Sequence, residues 1–481
     1  MNKRLTFKLI GYVLLVEALL MALPLFVDVL TKSHDARAFL ISMAITAACG
    51  GALTLLRPRN DNLRAREGFS IVALSWLFVS FFGGLPFVFS HSVSSVTDAF
   101  FETASGFSTT GATILTDVEA LSRSMLFWRS FTHWVGGMGV LVLSLALLPK
   151  MGNRSIYLMR AESPGPSTDK LVPRLSNNAK ILYLLYFALS ALMVIALLCC
   201  RLSLYDALIH TFGAAGTGGF SNYNASVGHY TNPAVHVIIG VFMALFGVNF
   251  SIYYYLIRRN WKACLVNSEL RTYLGLLLGS TLIIALNILP LYGWNIADAL
   301  RCSFFQVSSI MTTTGYGTAD FDVWPQLSRT LLVVLMIIGA SAGSTGGGIK
   351  VVRLQLLIKG MKHEIRKTIH PRSVNTIRMD GRTVDNATIG GVFTFFFAYV
   401  FVLLISLLVV SLDGFSFETN LTAVIATLSN IGPGLGAVGP TGNYAAFSDV
   451  SKIVLSLCML IGRLEIFPML MLLAPGAWKR Y

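Results

Sequence analysis

The run Thr312-Thr313-Thr314-Gly315-Tyr316-Gly317-Thr318 lies between two long apolar segments and offers only hydroxyl groups and backbone carbonyls to a ligand. Its chemistry is coordination by oxygen. Glycine adopts backbone angles that other residues avoid, so successive carbonyls can turn to one side and replace the water around a cation. One such strand walls only part of an ion's shell, and three more stretches have the same character: Ser108-Thr109-Thr110-Gly111-Ala112-Thr113, Gly216-Thr217-Gly218-Gly219-Phe220-Ser221 and Asn430-Ile431-Gly432-Pro433-Gly434. The candidate cation ligands are therefore Thr109, Thr110 and Gly111; Thr217 and Gly218; Thr313, Thr314 and Gly315; and Asn430, Ile431 and Gly432. Taking Gly111, Gly218, Gly315 and Gly432 as equivalent spaces the stretches by roughly a hundred residues, the period of a transporter built from internal membrane repeats rather than of a solenoid.

The elements that must position these strands follow from hydropathy. The 481 residues are 54% hydrophobic and 12% charged, which describes a multi-pass membrane protein and excludes several soluble domains. A net charge of +14 would point a soluble chain towards nucleic acid, but here every second hydrophilic loop is basic: Lys3 to Lys8, Arg57 to Arg66, Lys150 to Lys180, Arg258 to Arg271 and Lys350 to Arg382. By the positive-inside rule those loops and both termini are cytoplasmic, and no nucleic-acid partner is expected. The N-terminal apolar stretch is longer than the core of a secretory signal, lacks a small-x-small cleavage site, and is read as a span.

An all-α membrane fold results, with about ten crossings around a central pore. Residues 1–66 form a leading hairpin, with spans near Leu9 to Leu30 and Phe39 to Leu56. Repeats then cover 67–175, 176–267, 268–380 and 381–481, each a span, a half-helix, a filter strand and a second span. The half-helices are expected at Ser95 to Ser105, Leu204 to Phe212, Ile296 to Met311 and Phe417 to Ser429. The second spans are expected at Met125 to Leu148, Asn232 to Ile257, Leu327 to Leu357 and Val450 to Leu473. Extended backbone in hydrocarbon leaves polar groups unsatisfied, so the strands must line a wet pore, and the negative C-terminal ends of the half-helices favour a cation there.

Two features suggest a gate. Gly339-Ala340-Ser341-Ala342-Gly343-Ser344-Thr345-Gly346-Gly347-Gly348-Ile349-Lys350 would break one overlong helix, and a break in a membrane is tolerated beside a water-filled cavity or within protein. Close packing of small residues is the alternative, but three successive glycines exceed what packing needs. Gly343, Gly346, Gly347, Gly348 and Lys350 are the candidates in this loop. Arg463 falls midway along the last span, where a charge faces a cavity or a partner, and a fixed cation below a cation filter raises the barrier to passage. An ion pair with a nearby acid is the competing role for Arg463; Glu465, two residues on, points to another helix face.

These residues resemble a known family. Thr313 to Gly317 matches the T-V-G-Y-G filter of potassium channels with Thr314 in place of valine. The four filter stretches, the four repeats and the Gly339 to Lys350 segment together resemble the TrkH/TrkG/KtrB superfamily of bacterial potassium uptake proteins, and the leading hairpin places the resemblance on its TrkH branch. The likeness implies potassium uptake across the bacterial cytoplasmic membrane, with the filter glycines setting selectivity. It also implies that residues 339–350 form an intramembrane loop obstructing permeation and that Arg463 helps it close. A homodimer and a cytosolic nucleotide-binding ring protein of the TrkA type are further implications. Only the third repeat keeps Gly-Tyr-Gly, so the cage is expected to be less regular than a tetrameric channel's.

Other chemistry finds little support. Gly434 to Gly439 fits G-x-G-x-x-G with no preceding strand, and Gly348-Ile349-Lys350 lacks the ending of a phosphate loop. The histidines lack paired-ligand spacing, and the six cysteines read as small buried hydrophobes. Glu17, Glu102, Asp206 and the Asp298/Arg301 pair read as local partners or helix-end charges. No catalytic constellation and no cofactor is expected, with K+ the bound and transported ion. The basic run from Arg353 to Arg382 suits anionic lipid headgroups or a cytosolic regulator. A proton- or sodium-coupled symporter in the same fold is the alternative; it needs an acid deep in the path, for which Glu465 is the main candidate.

Overall fold

The computed structural model describes residues 2–58, 65–139, 175–372 and 376–478. The end of the expected Met125 to Leu148 span, residues 150–174 of the basic stretch, and Arg59, Arg64, Lys479 and Arg480 lie outside them. Among the described residues the protein is all-α, apart from a two-residue ladder pairing Arg378–Met379 with Arg382–Thr383.

Six stretches among the described residues are long and apolar enough to cross a membrane: Lys3–Thr31, Ala36–Thr54, Glu67–Phe89, Ile181–Cys199, Ser268–Tyr292 and Asn386–Asp413. They are the leading hairpin and the first helix of each repeat. Among the described residues the second helices of the second, third and fourth repeats are interrupted. The second repeat bends by 92° between Pro233–Phe246 and Phe250–Ile257. The third stops at Ile338 and resumes at Val351, and the fourth stops at Arg463 and resumes at Phe467. In the first, Arg123–Gly137 ends close to the limit of the described segment.

The half-helices are Val96–Phe107, Leu204–Gly216, Ile296–Met311 and Phe417–Leu428. Each starts on a side-chain cap: Ser95 accepts from the Asp98 amide, Ser203 from Asp206, Asn295 from Ala297 and Asp298, and Ser416 from Thr419. An acid sits in every first turn (Asp98, Asp206, Asp298, Glu418), so cap and carboxylate together satisfy the positive end of the helix dipole.

The leading hairpin is clamped onto the first repeat by one apolar cluster holding Phe39, Trp76, Phe107 and Trp128. Outward faces keep bare apolar side chains, among them Leu184, Phe187, Phe397, Phe401 and Leu408, the pattern of a lipid-facing surface. Cys264, Cys302 and Cys458 are buried as expected, whereas Cys49 and Cys199 are exposed on the apolar outer faces of their spans, where a thiol is tolerated as readily as in a core.

Candidate functional site

Each half-helix ends the same way. The N–H groups of Thr110, Gly218, Thr314 and Ile431 bond to the carbonyls of Ser105, Gly213, Ser309 and Ala426, at 2.9, 2.7, 2.8 and 2.8 Å. The residues just before them, Thr109, Thr217, Thr313 and Asn430, close the shorter inner bond and hold φ of +57°, +56°, +60° and +56°. This is the Schellman closure, which elsewhere favours glycine at the left-handed position. Three threonines and an asparagine accept it here, at a cost of roughly 1–3 kcal/mol each that the surrounding packing must offset.

Two residues further on, φ is positive again: +81° at Gly111, +78° at Gly219, +85° at Gly315 and +96° at Gly432. The equivalent glycine of the second repeat is thus Gly219, and the expectation for Gly218 is corrected by one position. Gly218 instead aligns with Thr110, Thr314 and Ile431. The half-helix caps carried a sequence signal for this register. Ser95 precedes Gly111, Ser203 precedes Gly219 and Ser416 precedes Gly432 by the same sixteen residues. Asn295 precedes Gly315 by twenty, one helical turn more.

The four loops touch in a closed ring. A Cβ on Gly111 would overlap the Gly218 carbonyl oxygen, one on Gly219 that of Thr314, one on Gly315 that of Ile431, and one on Gly432 that of Thr110. Each of these glycines therefore lies against the carbonyl that precedes the equivalent glycine of the next repeat, and the fourth repeat returns to the first. Asn430 adds a side-chain link across the seam, its Nδ2 donating to Thr110 Oγ1 at 2.9 Å and to the Met459 carbonyl at 2.8 Å.

Side chains further out brace the ring. Tyr316 Oη reaches the carbonyls of His210 and Phe220 at 3.2 and 3.0 Å, joining the third loop to the second. Tyr444 donates to the Gly432 carbonyl at 2.7 Å and, through its backbone, to Thr113 at 2.8 Å. Glu102, expected as a local charge, forms a buried pair with Arg129 at 2.6 Å and accepts from Thr113 Oγ1 and the Ile114 amide; Arg129 goes on to the Ser221 carbonyl at 3.0 Å. Lys452 pairs with Asp98 at 2.7 Å and Arg329 with Glu418 at 2.5 Å, tying neighbouring repeats. Asp298 and Arg301 pair locally at 2.7 Å, as expected. Asn224 bridges to the loop after the first filter, donating to Asp117 at 2.8 Å and holding that carboxyl below its usual range.

Residues 339–350 are a non-helical loop pressed against this ring. The Gly347 amide donates to Thr313 Oγ1 at 2.6 Å, and a Cβ on Gly347 would overlap the Ser429 carbonyl. The Gly343 carbonyl accepts from the Phe250 amide at 3.0 Å, and the Ser341 amide donates to Gly247 at 3.1 Å, both at the bend of the second repeat. Glu269 accepts from the Ala342 amide at 2.6 Å. Lys350 is buried, and its Nζ donates to the Gly346 carbonyl within the loop.

Arg463 lies across the loop. Its guanidinium donates to the Thr345 carbonyl at 2.7 Å and to the Gly136 and Gly137 carbonyls at 2.5 and 2.6 Å, so the last helix, the loop and the first repeat meet at one side chain. Glu465 forms a two-point ion pair with Arg353. Glu102, Glu269 and Arg353 are the supports that sequence patterns left hidden, because their partners lie on other elements. Among the described residues no cluster of His, Cys, Asp or Glu could hold a metal ion.

A closed ring of four glycine-bearing loops fed by capped half-helices, with a side loop against it, defines a cation-transport protein built from four membrane repeats. Residues 35–478 match the TrkH family of cation transport proteins, and the chain belongs to that family. It is 37% identical over 487 aligned positions to the Trk system potassium uptake protein TrkH of Salmonella typhimurium, with all of both chains covered. The Trk system potassium uptake protein TrkG of Escherichia coli is 32% identical over 98% of this chain and 97% of its own length. The crystal structure of the potassium transporter TrkH from Vibrio parahaemolyticus superposes with a TM-score of 0.87 at 32% identity, covering all of both chains.

Proposed function

We propose that this chain is the membrane subunit of a potassium uptake system, passing K+ through the four-loop ring and obstructed by residues 339–350. The observation that carries this reading is the ring contact: four loops, each seated on its neighbour's carbonyl, bring backbone oxygens together without any charged side chain in the filter strands. Oxygens from residues 109–111, 217–219, 313–315 and 430–432 would replace the ion's hydration shell, and the half-helix C-termini would favour a cation over an anion. The relatives named potassium uptake proteins cover the full length, which supports K+ as the cargo.

The gate reading rests on contact. Gly347 bonds to a filter hydroxyl, and Arg463 bonds to the loop from the last helix. Gly343, Gly346, Gly348 and Lys350 shape the same loop. The division into a hairpin at 1–66 and repeats at 67–175, 176–267, 268–380 and 381–481 goes with this reading. So do a bacterial inner-membrane location with cytoplasmic termini, assembly as a homodimer, and a TrkA-type ring protein acting on the basic segment. The family is one of cation transporters, so no catalysis is assigned. The coupled-symport alternative has less support, because Glu465, its main acid, is held by Arg353.

The test is ion flux through purified protein in vesicles. Potassium and rubidium should pass in strong preference to sodium and lithium, with a reversal potential that follows the K+ gradient whatever the pH. Deleting residues 343–348 should raise flux while keeping that order. Equal passage of all four ions, or a reversal potential that moves with pH, would refute the reading.

A further inference from the structure

The break in the last helix is a strained turn. Between Asp449–Arg463 and Phe467–Leu473 the chain passes through Glu465 at φ +55° and Ile466 at φ +70°, ψ −59°, and the Phe467 amide bonds back to the Glu465 carbonyl at 2.8 Å. That hydrogen bond and those angles define a γ-turn of the positive-φ kind, the rare and strained form. A β-branched isoleucine at its centre makes it more costly still. Such conformations persist where neighbouring contacts over-determine them and are found at switch regions.

The contact that holds this turn comes from the far side of the gate loop. Arg353 stands in the first turn of Val351–Ile369, directly after the loop, and is buried. Its guanidinium grips both oxygens of Glu465, donates to the Ile349 carbonyl at 3.3 Å, and lies 3.9 Å from the centre of the Phe395 ring. The planar fork is fixed at two points and one face, so it transmits position as well as charge. The same helix continues into Lys359, which is half-buried, and Lys362, Arg366 and Lys367, which are exposed.

We propose that Arg353 is a positioning residue for the gate. By holding Glu465 it keeps the turn at Ile466 wound, and that turn sets Arg463, three residues earlier, on the Thr345 carbonyl. Displacement of Val351–Ile369 withdraws Arg353, the turn relaxes towards ordinary helical angles, and Arg463 leaves the loop. A pull on the exposed basic helix is thereby converted into release of a loop seated against the filter. This rests on the gate reading above and adds to it the residue that couples the helix to the latch.

The experiment is rubidium tracer uptake by the purified full chain in vesicles, without any partner protein, on Arg463→Ala, Arg353→Gln, Glu465→Gln, the swap Arg353→Glu with Glu465→Arg, and Ile466→Gly added to Arg353→Gln. Arg353→Gln and Glu465→Gln are expected to raise uptake as Arg463→Ala does, and the swap to return it towards the parent. Glycine accepts positive φ without strain, so Ile466→Gly is expected to lower uptake of the Arg353→Gln protein by a factor of roughly 5 to 100, the range that strained backbone conformers cost. A merely structural role for Arg353 predicts no rescue by the swap and no fall with Ile466→Gly, and either result overturns the proposal. Raised uptake in Arg463→Ala beside parental uptake in Arg353→Gln and Glu465→Gln overturns this inference alone. Parental uptake in Arg463→Ala overturns the gate reading beneath it.

Discussion

Replacing Gly219 by alanine should damage selectivity more than replacing Gly218, against the order that the sequence motif suggests. At Gly219 the added Cβ meets two penalties. The backbone is at φ +78°, where an L-residue costs about 1–2 kcal/mol. The Cβ would also overlap the Thr314 carbonyl, a backbone oxygen that can retreat only by moving the third filter strand. If strain of that second kind adds about 1–3 kcal/mol, the total is about 2–5 kcal/mol. Since each 1.4 kcal/mol is a factor of about ten, a displaced oxygen that forfeits even half of the lower figure reduces K+ over Na+ discrimination about fivefold. At Gly218 the φ is not positive, and the added methyl meets the buried ring of His133, so the penalty is steric alone and falls on a side chain rather than on the carbonyl of a neighbouring strand. The assay is the reversal potential under paired K+ and Na+ gradients in vesicles, with Gly315→Ala as the reference. Gly219→Ala should resemble Gly315→Ala, and Gly218→Ala should stay nearer the parent. The opposite order would refute the register drawn from the backbone angles.

Two further outcomes follow from the same geometry. Tyr316→Phe removes the hydroxyl that reaches the His210 and Phe220 carbonyls, so the variant should unfold more easily by about 1 kcal/mol and discriminate less against sodium; a thermal melt and the reversal potential check both. Replacing K+ by an impermeant cation should lower the melting temperature, since an ion at a hundred times its dissociation constant contributes about 2.7 kcal/mol to the folded state; titrating K+ back should restore it in a saturable way, and lithium should not.

The four loops of the ring were legible because they are written in short runs of threonine and glycine between long apolar segments. Ile296–Met311 agrees with the expectation to the residue, its start marked by Asn295 with Asp298 in the first turn. The break at residues 339–350 was legible through Gly346, Gly347 and Gly348, which no continuous helix needs. Two adjacent glycines, Gly218 and Gly219, hid the register of the second repeat, and only the distance from the capping Ser203 separates them. The breaks in the second helices of the second and fourth repeats were missed because hydropathy averages across Gly247 to Asn249 and Leu464 to Ile466 and is blind to backbone angle. Glu102 with Arg129 and Arg353 with Glu465 were out of reach for another reason. The partners stand 27 and 112 residues apart, and no periodicity links them.

Because all four walls belong to a single polypeptide, each seat in the ring has only one occupant and one neighbour. In a channel assembled from identical subunits a point mutation alters every wall at once. Here it alters a quarter of the cage and presses on the next strand in one rotational sense. Ion preference can therefore drift through small steps, each open to correction by a change in the adjoining repeat, and transplanting one strand without its neighbour should do more harm than transplanting the pair.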